Sequence, residues 1–314
     1  MTRIAPALQA IGRSRNGFIM VAALWLLAAL ATLASVASIY IAQSARGLSA
    51  LDVALQAEML TTAGIELAAY QLSAPVTVRR PTHGGFNFRL ANSRVTVKYS
   101  SEAARINLNM APRALIAGLF TALGAEPAAA EQFADRVVGW RSKPKRNAQD
   151  DEEALYRAAG LNYLPRRGSF NSVDELWLVL GLPPEIVERA LPFVTVYSGM
   201  AEVNVLDAAP QVMAALPGMT PARLDEFLSQ RDSLPPDPEP VLAALGGSLP
   251  GVTVAGSEAY RVRMRITFPD GRQRTPEGVI LILGPGEKEA FRVLAWQDGI
   301  DLSTGGPLRP AAHR

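Results

Sequence analysis

Few side chains in this sequence are equipped for covalent or metal chemistry. The 314 residues contain no cysteine and only two histidines, His83 and His313. Disulfides, thiolate-bound zinc, iron–sulfur clusters and thiol nucleophiles are therefore excluded together, and histidine-based catalysis lacks parts. A run of carboxylates, Asp150-Asp151-Glu152-Glu153, lies just before Tyr156. In that place it reads as a helix start whose acids offset the positive end of the helix dipole. The stretch Leu216-Pro217-Gly218-Met219-Thr220-Pro221-Ala222-Arg223-Leu224 has the outline of a hairpin whose backbone N–H groups could hold a phosphate. Thr220, however, stands where a second glycine would permit close approach, and the matching place upstream, Gly124-Ala125-Glu126, carries an acid. There is no His/Glu metal motif, nucleophile elbow or phosphate loop, and Gly284-Pro285-Gly286 reads as a turn. The sequence is not that of an enzyme.

Composition points the same way. Hydrophobic residues make up 49% and charged residues 19%, so a core is affordable and long disorder is not expected. The 31 basic and 29 acidic side chains nearly cancel, which argues against nucleic acid as a partner.

The elements that would position such residues begin with an apolar segment. From Phe18 to Ala42 there is no charged side chain; at about 1.5 Å per residue this stretch is long enough for the roughly 30 Å of a bilayer core. Arg3, Arg13 and Arg15 precede it with no acid among them, so residues 1–17 are expected on the cytoplasmic side and the remainder across the membrane. The run is too long for a cleaved secretory signal, whose apolar part spans about 7–15 residues. A plain signal anchor is one reading. The other is suggested by Arg15-Asn16-Gly17 followed by Phe18, which resembles the type IV prepilin class. That resemblance implies cleavage after Gly17 and methylation of Phe18 by a dedicated peptidase. Beyond the membrane, Leu48, Leu51, Leu55, Met59, Ile65 and Leu67 are spaced as an apolar stripe, so the helix is expected to continue from Ser44 to about Leu72.

Strands follow. Phe86–Leu90 and Arg94–Tyr99 flank a turn at Ala91-Asn92-Ser93, and the second run alternates Val95, Val97 and Tyr99 with Arg94, Thr96 and Lys98. From Ile106 to Leu245 the pattern changes to short helices punctuated by Gly and Pro, and Leu234–Pro240 reads as a linker leaving that region. Strands return with Val262, Met264, Ile266 and Phe268, then Val279–Leu283 and Phe291–Trp296. The helical region holds a faint duplication. Ile106-Asn107-Leu108-Asn109-Met110-Ala111 and Val203-Asn204-Val205-Leu206-Asp207-Ala208 each open a helix, and each is followed by another with basic residues near its end, Phe133–Arg141 and Leu224–Arg231. Asn107, Asn109 and Asn204 are candidate helix caps.

In their order, several segments resemble the minor pseudopilin K family of the type II secretion system (GspK). They are Gly17-Phe18, the Ile106–Ala111 segment, Val137-Val138-Gly139-Trp140-Arg141, Phe170-Asn171-Ser172-Val173-Asp174-Glu175-Leu176, and Phe193–Tyr197 leading to Val203-Asn204-Val205. Ala22 adds to the set: it is the fifth residue after the expected cut, where most pilins carry a glutamate that neutralises a neighbour's terminal amine. A subunit at the end of a filament has no such neighbour above it. The resemblance implies an α+β, type IV pilin-like fold: a long N-terminal helix, transmembrane in its first half, packed on an antiparallel sheet, with a large all-helical inserted domain. The expected organisation is a leader (1–17), a transmembrane half-helix (18–43), a first pseudopilin part (44–104), the helical insertion (105–250) and the C-terminal strands (251–314). The implied partners are the minor pseudopilins I and J, the prepilin peptidase and the inner membrane, with the bulk of the chain periplasmic. No cofactor is required. Relatives bind calcium after the Trp-Arg motif, where this chain has Lys143-Pro144-Lys145-Arg146 ahead of the acids. The resemblance implies Asp150, Asp151 and Glu152 as the metal ligands of a degraded calcium site, short of the about six to eight oxygens that calcium takes. Two other readings stay open: a membrane-anchored DNA receptor of the helix-hairpin-helix kind, and a minor pilin of another type IV filament.

Overall fold

The computed structural model describes residues 15–73, 80–143, 151–284 and 286–297, with the side chains of 15–18, 45–51 and 151 outside that description. The chain forms two compact units, 1–59 and 60–314.

The first unit holds most of helix α1 (Arg15–Ser73). Its segment Ile19–Ser44 has a mean hydropathy of 2.3 and is long and apolar enough to cross a membrane. Leu24, Trp25, Leu30, Leu33, Ile39 and Tyr40 are exposed around the whole circumference of the helix. A helix segment with apolar side chains exposed on every side suits lipid as its solvent.

In the second unit the last turns of α1 lie on a sheet. The strands are β1 (His83–Leu90), β2 (Ser93–Ser101), β7 (Ala259–Thr267), β9 (Glu277–Ile282) and β10 (Phe291–Gln297), antiparallel throughout in the order β1-β2-β7-β9-β10, with the short β8 (Gln273–Arg274) pairing β7. A two-residue turn joins β1 to β2, with Ala91 and Asn92 both at positive φ (48° and 60°), the backbone hand that matches strand twist. Strand alternation divides the sheet: Val95, Val97, Tyr260, Val262, Met264, Ile266 and Ile280 are buried, while Arg94, Lys98, Arg263 and Arg265 are exposed. The buried face meets α1. A Cβ on Gly64 would run into Met264 Sδ and come within 3.5 Å of Val97 Cγ2.

This contact corrects the expected stripe. Leu55, Met59 and Leu67 are exposed, and of the named residues whose side chains are described only Ile65 is buried; Leu48 and Leu51 lie outside that description. The buried side of α1 is instead Leu60, Thr61, Ile65, Ala68, Ala69 and Leu72. Gly64, Ala68 and Ala69 let the helix axis approach the strands, so small residues mark the packed face and some of the leucines do not.

Between β2 and β7 the chain builds a mainly helical part. It contains β3 (Ile106–Asn107), α2 (Arg113–Ala122), α3 (Pro127–Arg141), α4 (Asp151–Ala158), α5 (Pro184–Ala190), β4 (Val194–Thr195), β5 (Val203–Asn204), α6 (Pro210–Ala214), α7 (Pro221–Gln230), α8 (Pro238–Ala244) and β6 (Val252–Thr253). Its buried cluster runs from Ile106 to Val254 and is distinct from the side chains of the sheet. Helix α8 overturns the linker reading of Leu234–Pro240. Pro238 takes the first helical position, where its fixed φ is suitable and its missing N–H costs nothing, and Val241 then points into the core. The whole insertion leaves and rejoins the sheet at one place: Ser101 is the register partner of Tyr260, and its buried hydroxyl lies 3.0 Å from that of Ser257.

Candidate functional site

The asparagine motifs occupy equivalent places in two copies of one local structure. Asn107 closes a turn by accepting from the Asn109 N–H (2.8 Å), and Asn204 does the same with the Leu206 N–H (3.0 Å). Each backbone carbonyl then accepts from the residue four positions on, Ala111 and Ala208. Both asparagines are buried, and each sits in a two-residue strand that pairs in parallel with a returning strand, β3 with β4 and β5 with β6. Neither caps a helix. The N-cap positions of α2 and α6 fall to Pro112 and Ala209, so the side-chain turns come before the helices rather than at their starts. The basic residues that end the second helix of each copy close the arrangement. Arg141 donates to the carbonyls of Leu108 and Ala111 (2.6 Å to Ala111), and Arg231 donates to that of Ala208 (2.8 Å).

The first copy gathers the other sequence motifs around it. Asn109 forms a reciprocal pair with the backbone of Phe170, donating to its carbonyl (3.0 Å) and accepting from its N–H (2.7 Å). Trp140 packs against Phe170 and Tyr156, and its indole N–H donates to Glu175 Oε2 at 2.9 Å. Glu175 also accepts from Arg166 (2.7 Å) and from the Asn171 N–H (3.1 Å). Burial pushes this carboxyl up, but those three donors outweigh it and hold the pKa below the ordinary glutamate range. Burial drives the Tyr156 hydroxyl up to about 12, and that hydroxyl accepts from the Leu180 N–H (2.8 Å).

A second centre, which the sequence reading missed, lies where the insertion meets the sheet. Glu102 is fully buried just past the end of β2. Its carboxylate receives Arg261 of β7 in bidentate fashion (2.7 and 3.2 Å), Arg105 (3.0 Å) and the hydroxyl of Thr195 in β4. Arg105 in turn donates to the Pro192 carbonyl (3.1 Å). Arg261 further shares Glu277 with Arg263. Burial lowers Arg105 to about 10, opposed by the charge of Glu102. Burial also acts to lower Arg261, but the bonds from Glu102 and Glu277 prevail and raise it. In Glu277, burial acts upward, and the bonds from Arg263 and Arg261 overcome it to leave the carboxyl below its ordinary value. One carboxylate thus joins sheet and insertion. The only hint in the sequence is an acid at the end of an alternating strand, among small residues.

The remaining named positions do not converge on these centres. Gly17 and Phe18 fall in the opening turns of α1, with their side chains outside the description, and Ala22 is exposed on the apolar span. The basic run after Lys143 and Asp150 lie outside the described residues, as does the side chain of Asp151. Glu152 pairs with Arg136 (2.7 Å), and burial raises its pKa against that pairing. Its other oxygen is buried without a hydrogen-bond partner. Among the described residues no group of three acids, histidines or cysteines comes together. With a guanidinium on one oxygen, Glu152 alone does not fit a calcium site, which needs about six to eight oxygens. Arg223, the cation of the hairpin-like segment, donates to the carbonyls of Leu245 (3.0 Å), Gly246 (2.7 Å) and Gly218 (3.2 Å), which occupies it internally.

Taken together, these features define an α+β pilin-like fold with a helical insertion carried between two neighbouring strands of the sheet. Residues 86–199 match the family model for type II secretion system (T2SS), protein K, which bears out the resemblance read from the motifs. Among solved structures, a chain from the crystal structure of the GspK-GspI-GspJ complex of the enterotoxigenic Escherichia coli type 2 secretion system is similar, with a TM-score of 0.55 and 18% identity. The likeness covers 78% of this chain and 96% of that one and shows a shared fold. A comparison with curated proteins found no match.

Proposed function

We propose that this chain is the minor pseudopilin K of a type II secretion system, placed at the tip of the pseudopilus with minor pseudopilins I and J. There it primes assembly and helps drive folded proteins through the outer membrane. The observation that carries this reading is the protein K match over residues 86–199, which takes in β2 together with the Asn107, Trp140 and Glu175 motifs. Further support comes from the span Ile19–Ser44 and from Ala22, which leaves the membrane helix without the pilin glutamate. A carboxylate inside a membrane needs a partner, and a terminal subunit offers none. The helical insertion suits the end of a filament, because its bulk would obstruct stacked neighbours. On this reading residues 1–17 are a cytoplasmic leader, Gly17 and Phe18 are the processing residues, and the bulk of the chain is periplasmic on an inner-membrane anchor. The division of 44–104, 105–250 and 251–314 follows the same scheme. The protein acts by assembly and carries out no catalysis.

The test is to produce the full chain with and without its cognate prepilin peptidase and to measure the N-terminal mass of the membrane-extracted product. Co-expression with tagged pseudopilins I and J completes the experiment. A product beginning at methylated Phe18 that co-purifies with both partners supports the reading. An intact N-terminus beside active peptidase makes the segment an ordinary signal anchor and removes the chain from the filament.

A further inference from the structure

We infer that the face of the sheet turned away from α1 is a docking surface for an acidic, extended segment of another protein. The inference rests on the sheet alone and does not depend on the tip assignment. Strand alternation places Arg89 of β1, Arg94 and Lys98 of β2, and Arg261, Arg263 and Arg265 of β7 on this one face. The register sets Arg89 directly opposite Arg94 and Lys98 directly opposite Arg263. Like charges facing each other across strands destabilise a sheet, and a fold that keeps Arg89 against Arg94, with Lys98 beside Arg263, holds a surface that an anion would relieve. Glu277 bridges Arg261 and Arg263, and Arg261 is also held by the buried Glu102, so the charge still open on this face is that of the other four residues. Arg89, Arg94, Lys98 and Arg265 have no acidic partner among the described residues. At one end the face dips into a hollow of about 520 Å³ beside Gly84 and Gly85, bordered by His83, Lys98, Arg261 and Arg263.

Two features favour protein carboxylates as the occupant. Glu277 already shows how a carboxylate seats in this lattice, forked between guanidinium groups two residues apart on one strand. That spacing, about 6.8 Å, is also the distance between alternate side chains of an extended partner strand. A lipid surface fits less well. The β1, β2 and β7 residues on this face include Asn87, Thr96, Ser100 and Thr267 and no large apolar side chain, whereas surface-bound membrane elements bury an apolar face.

The full chain in neutral detergent micelles, titrated against a fluorescent peptide of alternating glutamate and threonine, tests the proposal by anisotropy. Saturable binding is expected, weakened at least about tenfold between about 50 and about 300 mM salt. The Arg94→Glu/Arg265→Glu variant should lose it, while Arg272→Glu, in the turn after β7, should bind within about twofold of the parent. The corresponding lysine–threonine peptide should not bind. Arg94→Glu alone should also raise the unfolding midpoint of the free chain by relieving Arg89, which separates loss of docking from loss of folding. Absence of peptide binding overturns the proposal, as does equal loss in all variants. So does binding of soluble short-chain phosphatidylglycerol without binding of the peptide.

Discussion

Glu102 is the residue on which sheet and insertion most depend. It places a full charge out of contact with water and satisfies it with two arginines and a threonine. Removing one member of such a buried set leaves its partners desolvated and unpaired, at a cost of about 3–5 kcal/mol. Glu102→Ala should therefore lose a large part of the roughly 5–15 kcal/mol typical of a domain. Glu102→Gln, which keeps the shape without the charge, should fall between the two, and denaturant unfolding of the full chain in detergent measures both. Glu277 makes the pH prediction. Its folded pKa lies below the ordinary value of 4.5, so the folded state binds protons less readily than the unfolded chain. Its stabilisation is present above that ordinary value and is lost as pH falls through the folded pKa. Glu277→Gln should lower the thermal midpoint at neutral pH and show a shallower decline on the acid side than the parent. An acid limb of unchanged slope would assign the pH dependence to other carboxylates.

At the scale of elements, the two copies of the asparagine motif are held together by a close approach of helices. A Cβ on Gly118 of α2 would overlap the carbonyl of Ala215 at the end of α6, and neither is a flexible side chain that could turn aside. Gly118→Ala would gain about 1 kcal/mol in helix propensity. The backbone clash should outweigh that gain, because overpacking of a tight contact costs about 1–3 kcal/mol. A lowered midpoint for the helical signal is expected, and a raised one would mean that the helices part without strain. Strand alternation was plain in the sequence, because the sheet has one buried face and Val95–Tyr99 and Val262–Phe268 state the period directly. The duplicated motifs were also visible, since each asparagine serves its own turn. The packed face of α1 was not, because its contact is made by Gly64 and alanines and pattern reading looks for large side chains. Glu102 and the cationic face escaped for a different reason. Both depend on which residues register brings together across β2 and β7, and the balance of 31 basic and 29 acidic residues hides a face where one sign prevails.

At the scale of the molecule, the helical part is an excursion that the sheet can in principle do without. The chain leaves at Ser101 and returns at Ser257 within hydrogen-bond distance, and from there Arg94–Ser101 of β2 pairs with Tyr260–Thr267 of β7. The insertion carries its own buried cluster, from Ile106 to Val254, so its removal does not open the core between sheet and α1. Replacing 106–254 by a short Gly-Ser loop should leave an antiparallel sheet detectable by circular dichroism and a chain still extracted from membranes through Ile19–Ser44. Loss of the Thr195 hydroxyl and the Pro192 carbonyl from the Glu102–Arg105 centre should lower its stability without changing strand register. The functional consequence follows from the proposed role. If the bulk of the insertion confines the subunit to the filament end, the shortened chain should enter along the filament, and its ratio to the major subunit in sheared filaments should rise several-fold over that of the full chain. A ratio equal to that of the full chain would mean that the restriction lies elsewhere, with Ala22 in the membrane helix the next position to exchange for glutamate.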